Sequence, residues 1–442
     1  MDAATQTVES ICNLLIRSRL LQASDVQLLH RRWRLESRDG YADVERFAKW
    51  LVQKQYITEY QSQSLLRGHA DHFFLNQYKL LDRIGKGRMA GIFKAVHNLG
   101  HVVAIKVLPP SKAKQPEIMS RFQREARMAM RLKHPYVVRT FHLGHTSSLH
   151  YLVMEYLEGE TLEDVLKRRG KLPAAEAVRL IHQALLGLQH IHEQGLVHRD
   201  LEPANLMLVG ADTPDSTLFA TVKILDIGLG RELFDENENP EYDMQLTTEG
   251  TVLGSPDYLA PEQARNAHAA DIRADIYSLG CVLYHALAGQ EPFPEKSAFR
   301  KIILHAEATP RPLREFDPSI PAGLEKVVSV MMAKNHGDRY QTPLQAAQAL
   351  APFLPRDPGN RISEKNPQMQ SYLQWVESQT GEQENSPPAG ASAPVQPMSA
   401  DASATTTQHI TRRDIFFFVL GAWLGATLTM LVGAVFLYFY LH

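Results

Sequence analysis

Residues 415–441 contain no charged side chain and are dominated by Phe, Leu, Val, Gly and Ala. As a helix, at about 1.5 Å per residue, the segment is about 40 Å long, enough to cross a bilayer with some tilt. A buried helix of a globular domain would carry a polar face, and this one has none. The segment reads as a single-pass anchor within residues 412–442. Arg412 and Arg413 precede it and only His442 follows. The positive-inside bias then places everything before Ile415 in the cytoplasm, on the inner membrane, with no sensor domain beyond the bilayer. Gly421 and Gly425 form a GxxxG pair inside it, continued by Thr429 and Gly433 with Ala422 and Ala426 alongside. Such a stripe predicts a homodimer through closely packed helices. The alternative is that glycine is simply frequent in membrane helices.

The remainder has the composition of a globular chain. Hydrophobic residues make up 44% of the sequence and charged residues 22%, which allows a buried core. The 47 basic side chains balance 49 acidic ones, excluding a broadly basic nucleic-acid binder and an acidic disordered chain. Cys12 and Cys281 cannot build a disulfide framework and read as reduced thiols, Cys281 as a small core residue. The N-terminal stretch lacks a basic start and an apolar core, so no signal peptide is expected.

Residues 1–77 predict a small helical module. Leu15, Ile16, Leu20, Leu21, Gln27 and Leu29 recur, at a shift of 36 residues, as Leu51, Val52, Tyr56, Ile57, Gln63 and Leu65. Each copy reads as helix, turn, helix, with Ser24 or Thr58 as an N-cap. The module is either a packing appendage or a docking site for a protein partner. Residues 355–411 read as a linker, with Gln379–Gln408 too poor in large apolar side chains to order. Within it, Tyr372, Leu373 and Trp375 mark either a short docking helix or a transient one.

Residues 78–354 carry the chemistry. Strands are expected at Tyr78–Ile84, Gly91–His97, His101–Leu108 and Tyr151–Glu155, all rich in β-branched and aromatic side chains. Helical spacing follows in Val178, Ile181, Leu185, Leu188 and Ile191, and in Ile276, Leu279, Leu283 and Leu287. A small sheet lobe followed by a larger helical lobe makes an α+β architecture. The run Ile84-Gly85-Lys86-Gly87-Arg88-Met89-Ala90-Gly91-Ile92 joins two strands, and its glycines let backbone approach phosphates. Lys106, in Val103-Ala104-Ile105-Lys106, lies on the third strand and needs a partner there. Glu125, in the helical stretch Ser120–Leu132, can hold it against an α- or β-phosphate. In His198-Arg199-Asp200-Leu201-Glu202-Pro203-Ala204-Asn205, Asp200 can accept a hydroxyl proton while Asn205 coordinates a metal. Asp226, after the strand-like Val222–Leu225, can bridge Mg²⁺ to phosphates.

Together these motifs resemble the eukaryotic-like serine/threonine protein kinase family in its bacterial membrane-anchored form. Gly250–Glu262 is similar to the end of an activation segment, Asp275 and Gly280 to the helix behind the catalytic loop, and Arg339 to the arginine that pairs with Glu262. The resemblance implies a bilobal fold, ATP and Mg²⁺ as cofactors, and proteins bearing Ser or Thr as substrates. It implies an ion pair between Lys106 and Glu125, Asp200 as the base, and Asn205 and Asp226 as metal ligands. The nucleotide would lie against Ile84, Gly85, Gly87, Ile92, Ala104 and Lys106. Met154 is the implied gatekeeper, with backbone of Glu155 and Leu157 facing adenine. Arg199 implies a negatively charged partner in the activation segment, a role that Glu249 can fill beside Thr247, Thr248, Thr251 and Ser255.

Four positions depart from the family. Ala90 replaces the third loop glycine, Ile227 an aromatic residue, and Ala129 a large apolar one. Glu202 stands where such kinases carry a lysine that meets the γ-phosphate. A lost or reversed charge contact of about 5 Å, at an effective dielectric near 20, is worth roughly 3 kcal/mol. The alternative to an active kinase is therefore a nucleotide-binding pseudokinase acting as a membrane scaffold. His190 and His192 bracket Ile191 without any further ligand motif, which does not make a metal site.

Overall fold

The computed structural model describes residues 7–37, 40–71, 73–86, 91–108, 110–146, 149–211, 213–226, 256–265, 270–355 and 371–376, without the side chains of Lys86, Glu117, Arg121, Glu125 and Arg265. All of them belong to one compact unit, 1–385. Gly87, Ala90, Ile227, the threonines at 247, 248 and 251, Glu249, Ser255, residues 379–408 and the apolar segment 415–441 with Gly421 and Gly425 lie outside the described residues. Among those described, no helix is long and apolar enough to cross a membrane.

Four helices form the N-terminal module: α1 (Val8–Arg17), α2 (Ala23–Ser37), α3 (Val44–Gln53) and α4 (Glu59–Leu66). Most of the repeated apolar positions fill its core, with Leu15, Leu51 and Leu65 at most 1% exposed, whereas Ile16 is 38% exposed. Around them Trp33, Phe47 and Trp50 pack with ring centroids 5.5–6.1 Å apart. Thr58 caps α4 in a reciprocal capping box with Gln61. Ser24 does not cap α2, because the helix starts one residue earlier and takes Ser24 into its first turn.

The same two capping side chains dock the module. The Thr58 hydroxyl donates to the Leu81 carbonyl, and Gln61 Nε2 donates to the Leu80 carbonyl at 2.6 Å. Those carbonyls sit at a register shift of the second strand, where a bulge frees backbone acceptors. Tyr60 adds an edge contact with Phe93 at 5.6 Å.

Strands β1 (Phe74–Leu75), β2 (Tyr78–Lys86), β3 (Gly91–His97) and β4 (Val102–Leu108) follow. After α5 (Pro110–Ala113) and α6 (Pro116–Arg131) come β5 (Thr140–His145) and β6 (His150–Glu155). They form one antiparallel sheet in the order β1-β2-β3-β4-β6-β5. The sheet thus begins at Phe74, upstream of the expected start at Tyr78. One face carries a core of Leu75, Tyr78, Leu80, Ala95, Val103, Ile105, Phe141, Tyr151 and Val153, joined by Tyr372 and Val376. Residues 371–376 are helical and pack there.

The second lobe opens with β7 (Gly159–Thr161), α7 (Leu162–Arg169) and the long α8 (Ala174–Glu193). Strands β8 (Leu206–Val209) and β9 (Thr221–Ile224) pair with β7 in the order β7-β8-β9. Then come α9 (Pro261–Arg265), α10 (Ile272–Ala288), α11 (Ala298–Glu307), α12 (Leu313–Phe316), α13 (Ala322–Met331) and α14 (Pro343–Leu350). Helices α8 and α10 are buried almost all round and centre a core that includes Cys281, whose thiol burial pushes up to about 12. Gly280 allows α10 to meet α13, since a Cβ there would lie 2.8 Å from Met331.

Candidate active site

The cleft between the lobes is built from strand register upward. Gly85 pairs with Ile92 across the β2–β3 hairpin, and Ile92 pairs with Lys106 across β3–β4. Ile84 is 46% exposed on the rim. Ala104, on β4 opposite Met154 of β6, is buried with it and Val138, and Leu157 and Leu225 close the cluster. This small apolar pocket suits a flat base. The Glu155 side chain turns away from it, accepting from Lys223 Nζ at 2.9 and 3.1 Å and from the Arg139 backbone N–H at 3.3 Å. The strand after Met154 is thereby tied to β9, three residues before Asp226.

Lys106 Nζ donates to Asp226 Oδ1 at 2.7 Å. Burial pushes the Asp226 carboxyl up, but the charge and hydrogen bond of Lys106, with His198, more than offset this and leave it below the usual range. The expected partner, Glu125, lies on α6 with its side chain outside the described set. Asp226 sits at φ 48, a left-handed conformation that a non-glycine residue adopts only under restraint. The restraint is explicit. His198 Nε2 meets the Leu225 carbonyl at 2.8 Å, and the Leu225 N–H donates to the Asn205 carbonyl at 2.9 Å.

The Asp200 loop is held the same way. Asn205 Nδ2 donates to the Asp200 carbonyl at 2.6 Å, which leaves Oδ1 as the atom with metal-ligand chemistry. Arg199 sits at φ 63. Its N–H and that of His198 donate to the carboxylate of Asp275 at 2.7 and 2.8 Å, and His192 Nε2 meets the same group at 2.9 Å. Asp275 is 1% exposed. His192 is therefore a structural partner of α10, while His190, two residues away, stacks on His134 at 5.2 Å. Residues two apart on a helix face different ways, so the pair cannot share a ligand. Sequence reading missed His198 and Lys223, whose roles depend on segments brought together only by folding.

Glu202 lies in the loop beside Tyr258, Leu259, Gln263 and Ser278, and these line one narrow cavity with Arg199 and Asp200. Gln263 Nε2 donates to the Arg199 carbonyl at 2.9 Å, and Ser278 donates to the Tyr258 carbonyl at 2.8 Å. Lys301 pairs with Asp257. Arg339, its side chain fully buried, grips Glu262 through two bonds of 2.6 and 2.8 Å. Ala129 is buried in α6.

A β-rich lobe over a helical lobe, with a lysine, a restrained aspartate and an Asp/Asn loop in the cleft, is a bilobal arrangement with its polar groups gathered between the lobes. The protein kinase domain family matches residues 78–352, and the chain belongs to that family. It is 35% identical over 272 residues to serine/threonine-protein kinase PknB of Mycobacterium leprae, covering 60% of this chain and 41% of that one. It is 32% identical over 292 residues to a probable serine/threonine-protein kinase of Clostridium perfringens, covering 66% of this chain and 40% of that one. The chain thus spans about two fifths of the length of these curated relatives. The crystal structure of the PknI kinase domain of Mycobacterium tuberculosis aligns with TM-score 0.48 and 26% identity, over 63% of this chain and 97% of that one.

Proposed function

We propose that the chain transfers the γ-phosphoryl group of ATP to Ser or Thr hydroxyls of proteins. The observation that carries this reading is the Lys106–Asp226 contact in a cleft shared with the Asp200–Asn205 loop. In the working cycle Lys106 exchanges Asp226 for the α- and β-phosphates, steadied by Glu125 on α6. Adenine lies in the Ala104–Met154 pocket against the backbone of Glu155 and Leu157, under Ile84, Gly85, Gly87 and Ile92. Asp200 orients the acceptor hydroxyl and takes its proton. A carboxylate and an amide oxygen, from Asp226 and Asn205, form a hard donor set that would hold Mg²⁺. A bound Mg²⁺ would supply charge neutralisation for the transfer.

In the same reading the domains are a helical module (1–77), the kinase domain (78–354), a linker (355–411) and an inner-membrane anchor (412–442). Gly421 and Gly425 face a second copy, and the module offers a surface to a protein partner. The supports for these finer points are the apolar run 415–441 and the glycine spacing. Glu202 favours a second reading, a nucleotide-binding scaffold without transfer. Phosphate transfer from radiolabelled ATP to a generic basic protein, with Asp200→Asn as the blank, separates the two. Transfer above the blank supports the kinase, and ATP binding without transfer supports the scaffold.

A further inference from the structure

Residues 371–376 lie on the N-terminal lobe, although the chain has just left the other lobe after Leu354. Tyr372 is completely buried and Val376 is 8% exposed. The Tyr372 ring stacks on His101 at 4.6 Å and meets Phe141 edge-on at 5.1 Å. Trp375 lies 4.3 Å from the His97 ring and 5.6 Å from His142. A hydroxyl relay completes the contact, Tyr372 to Tyr78 at 2.9 Å and Tyr78 to His142 Nε2 at 2.7 Å. The receptor therefore draws on β2, the end of β3, the turn before β4, and β5.

Three of its side chains are histidines, and the docked segment covers their rings. His97 Nδ1 accepts the Leu99 N–H at 3.3 Å, which puts its single proton on Nε2. That Nε2, like the Nε2 of His101, is buried without a hydrogen-bond partner. A second proton on His97 would oppose the Leu99 N–H and charge an apolar site. The other titratable groups facing the site are Tyr78, Tyr151 and Tyr372, all pushed upward mainly by burial and so neutral. The opposing influences are the Glu155 carboxylate on His101 and the Leu143 backbone on His142, each smaller than the effect of burial.

We propose that residues 371–376 are a clamp by which this chain ties its own linker to the N-terminal lobe, and that acidification opens it by protonating the receptor histidines. Burial, with His142 and His101 adding to it, lowers His97 to about 4, and burial also lowers His101 and His142. Undocking uncovers the rings that Tyr372 and Trp375 contact and so raises them toward the ordinary value of about 6.5. The sign follows from these depressed values. The undocked state binds more protons than the docked one between about pH 6.5 and pH 4, so docking is full above that window and is lost as pH falls through it. For His97 alone, the docking constant falls by up to about tenfold between about pH 7.5 and pH 5.5.

Hydrogen exchange on the full chain in detergent micelles reads this directly. Protection factors, normalised to intrinsic exchange, are measured for residues 371–376 at both pH values. Wild type is expected to be protected, with the factor falling at least tenfold on acidification while helix α8 holds its own. His97→Asn keeps an acceptor for the Leu99 N–H but cannot be protonated, and is expected to remove up to about tenfold of that pH dependence. Tyr372→Ala should abolish protection of the segment, and Tyr372→Phe should retain most of it. An unprotected segment in wild type overturns the clamp, and a pH-independent factor overturns its proton control. A matching loss in α8 would mean global unfolding and also overturns local release. Protection that grows with protein concentration would place the segment on a second copy and overturn docking within one chain.

Discussion

Asp275→Asn tests how the Asp200 loop is held. The carboxylate accepts three donors at 2.7–2.9 Å, two of them the backbone N–H groups of His198 and Arg199. An asparagine presents an acceptor on one side only, so at least one backbone donor is left facing an NH₂ group. Losing one hydrogen bond to a charged group in a buried site costs about 3 kcal/mol. Arg199 pays about 1–2 kcal/mol for its left-handed backbone. The lost bond exceeds that strain, so Arg199 is expected to relax and carry Asp200 with it. A shift of about 1 Å at Asp200, the proposed base, would cost about 10²-fold in kcat. The melting temperature should fall by about 5 °C, since about 2.1 cal/mol/K per residue over the domain 78–352 makes 3 kcal/mol worth roughly that much. Steady-state kinetics and scanning calorimetry on Asp275→Asn and His192→Phe separate the effects. His192→Phe removes a side-chain donor but neither backbone bond, so it should lower stability while kcat stays within a few fold. If Asp275→Asn melts earlier yet keeps its kcat, Arg199 does not depend on Asp275 and the reasoning is wrong.

Other outcomes follow from the same geometry. Glu202→Lys should raise kcat about tenfold or more, since roughly 3 kcal/mol of charge interaction is at stake, and an unchanged rate would show that the loop holds the phosphate otherwise. Arg339→Lys should destabilise by about 3–5 kcal/mol in thermal unfolding, because a lysine cannot serve Glu262 and the Ala333, Arg273 and Lys334 carbonyls together. Burial beside Lys334 lowers fully buried His305 to about 4. Its depressed value means stability is full above about pH 6.5 and falls by about 3 kcal/mol toward pH 4, a limb that denaturant unfolding of His305→Gln should flatten. Replacing Gly421 and Gly425 with Leu should weaken self-association in a membrane reporter assay while insertion persists; equal association would exclude that interface.

The cleft was legible because its residues sit in contiguous motifs. Lys106 falls on a strand through local alternation, and Asp200 and Asn205 share one loop, so their proximity needs no knowledge of distant contacts. The strand limits were close for the same reason, as β-branched runs define β3 and β4 almost to the residue. β5 was missed because Thr140–His145 carries two histidines and a glycine, and its strand character comes from pairing with β6. Lys106 shows a second limit. Its need for a carboxylate followed from burial in a strand, but which carboxylate it meets depends on where Asp226 is placed, and that placement rests on a left-handed backbone held by His198.

The histidines make the same point from the other side. His97, His101, His142, His192, His198 and His305 look alike in the sequence, a scatter without ligand spacing. Folding sends them to three kinds of site. His198 and His192 bind the backbone and carboxylate that fix the Asp200 loop. His305 bonds to Tyr277 in the core of the helical lobe. His97, His101 and His142 form the floor beneath Tyr372 and Trp375. An imidazole keeps an aromatic face whether or not it is bonded, so it can stack like a Phe at neutral pH, yet it becomes a buried cation when acid is added. A Phe in those three positions could not be protonated, but it would strip the Tyr78 hydroxyl and the Leu99 N–H of their imidazole partners. Using histidine instead leaves the seat dependent on pH, and that choice of side chain, rather than the packing alone, sets the receptor on β2–β5 apart from an ordinary core.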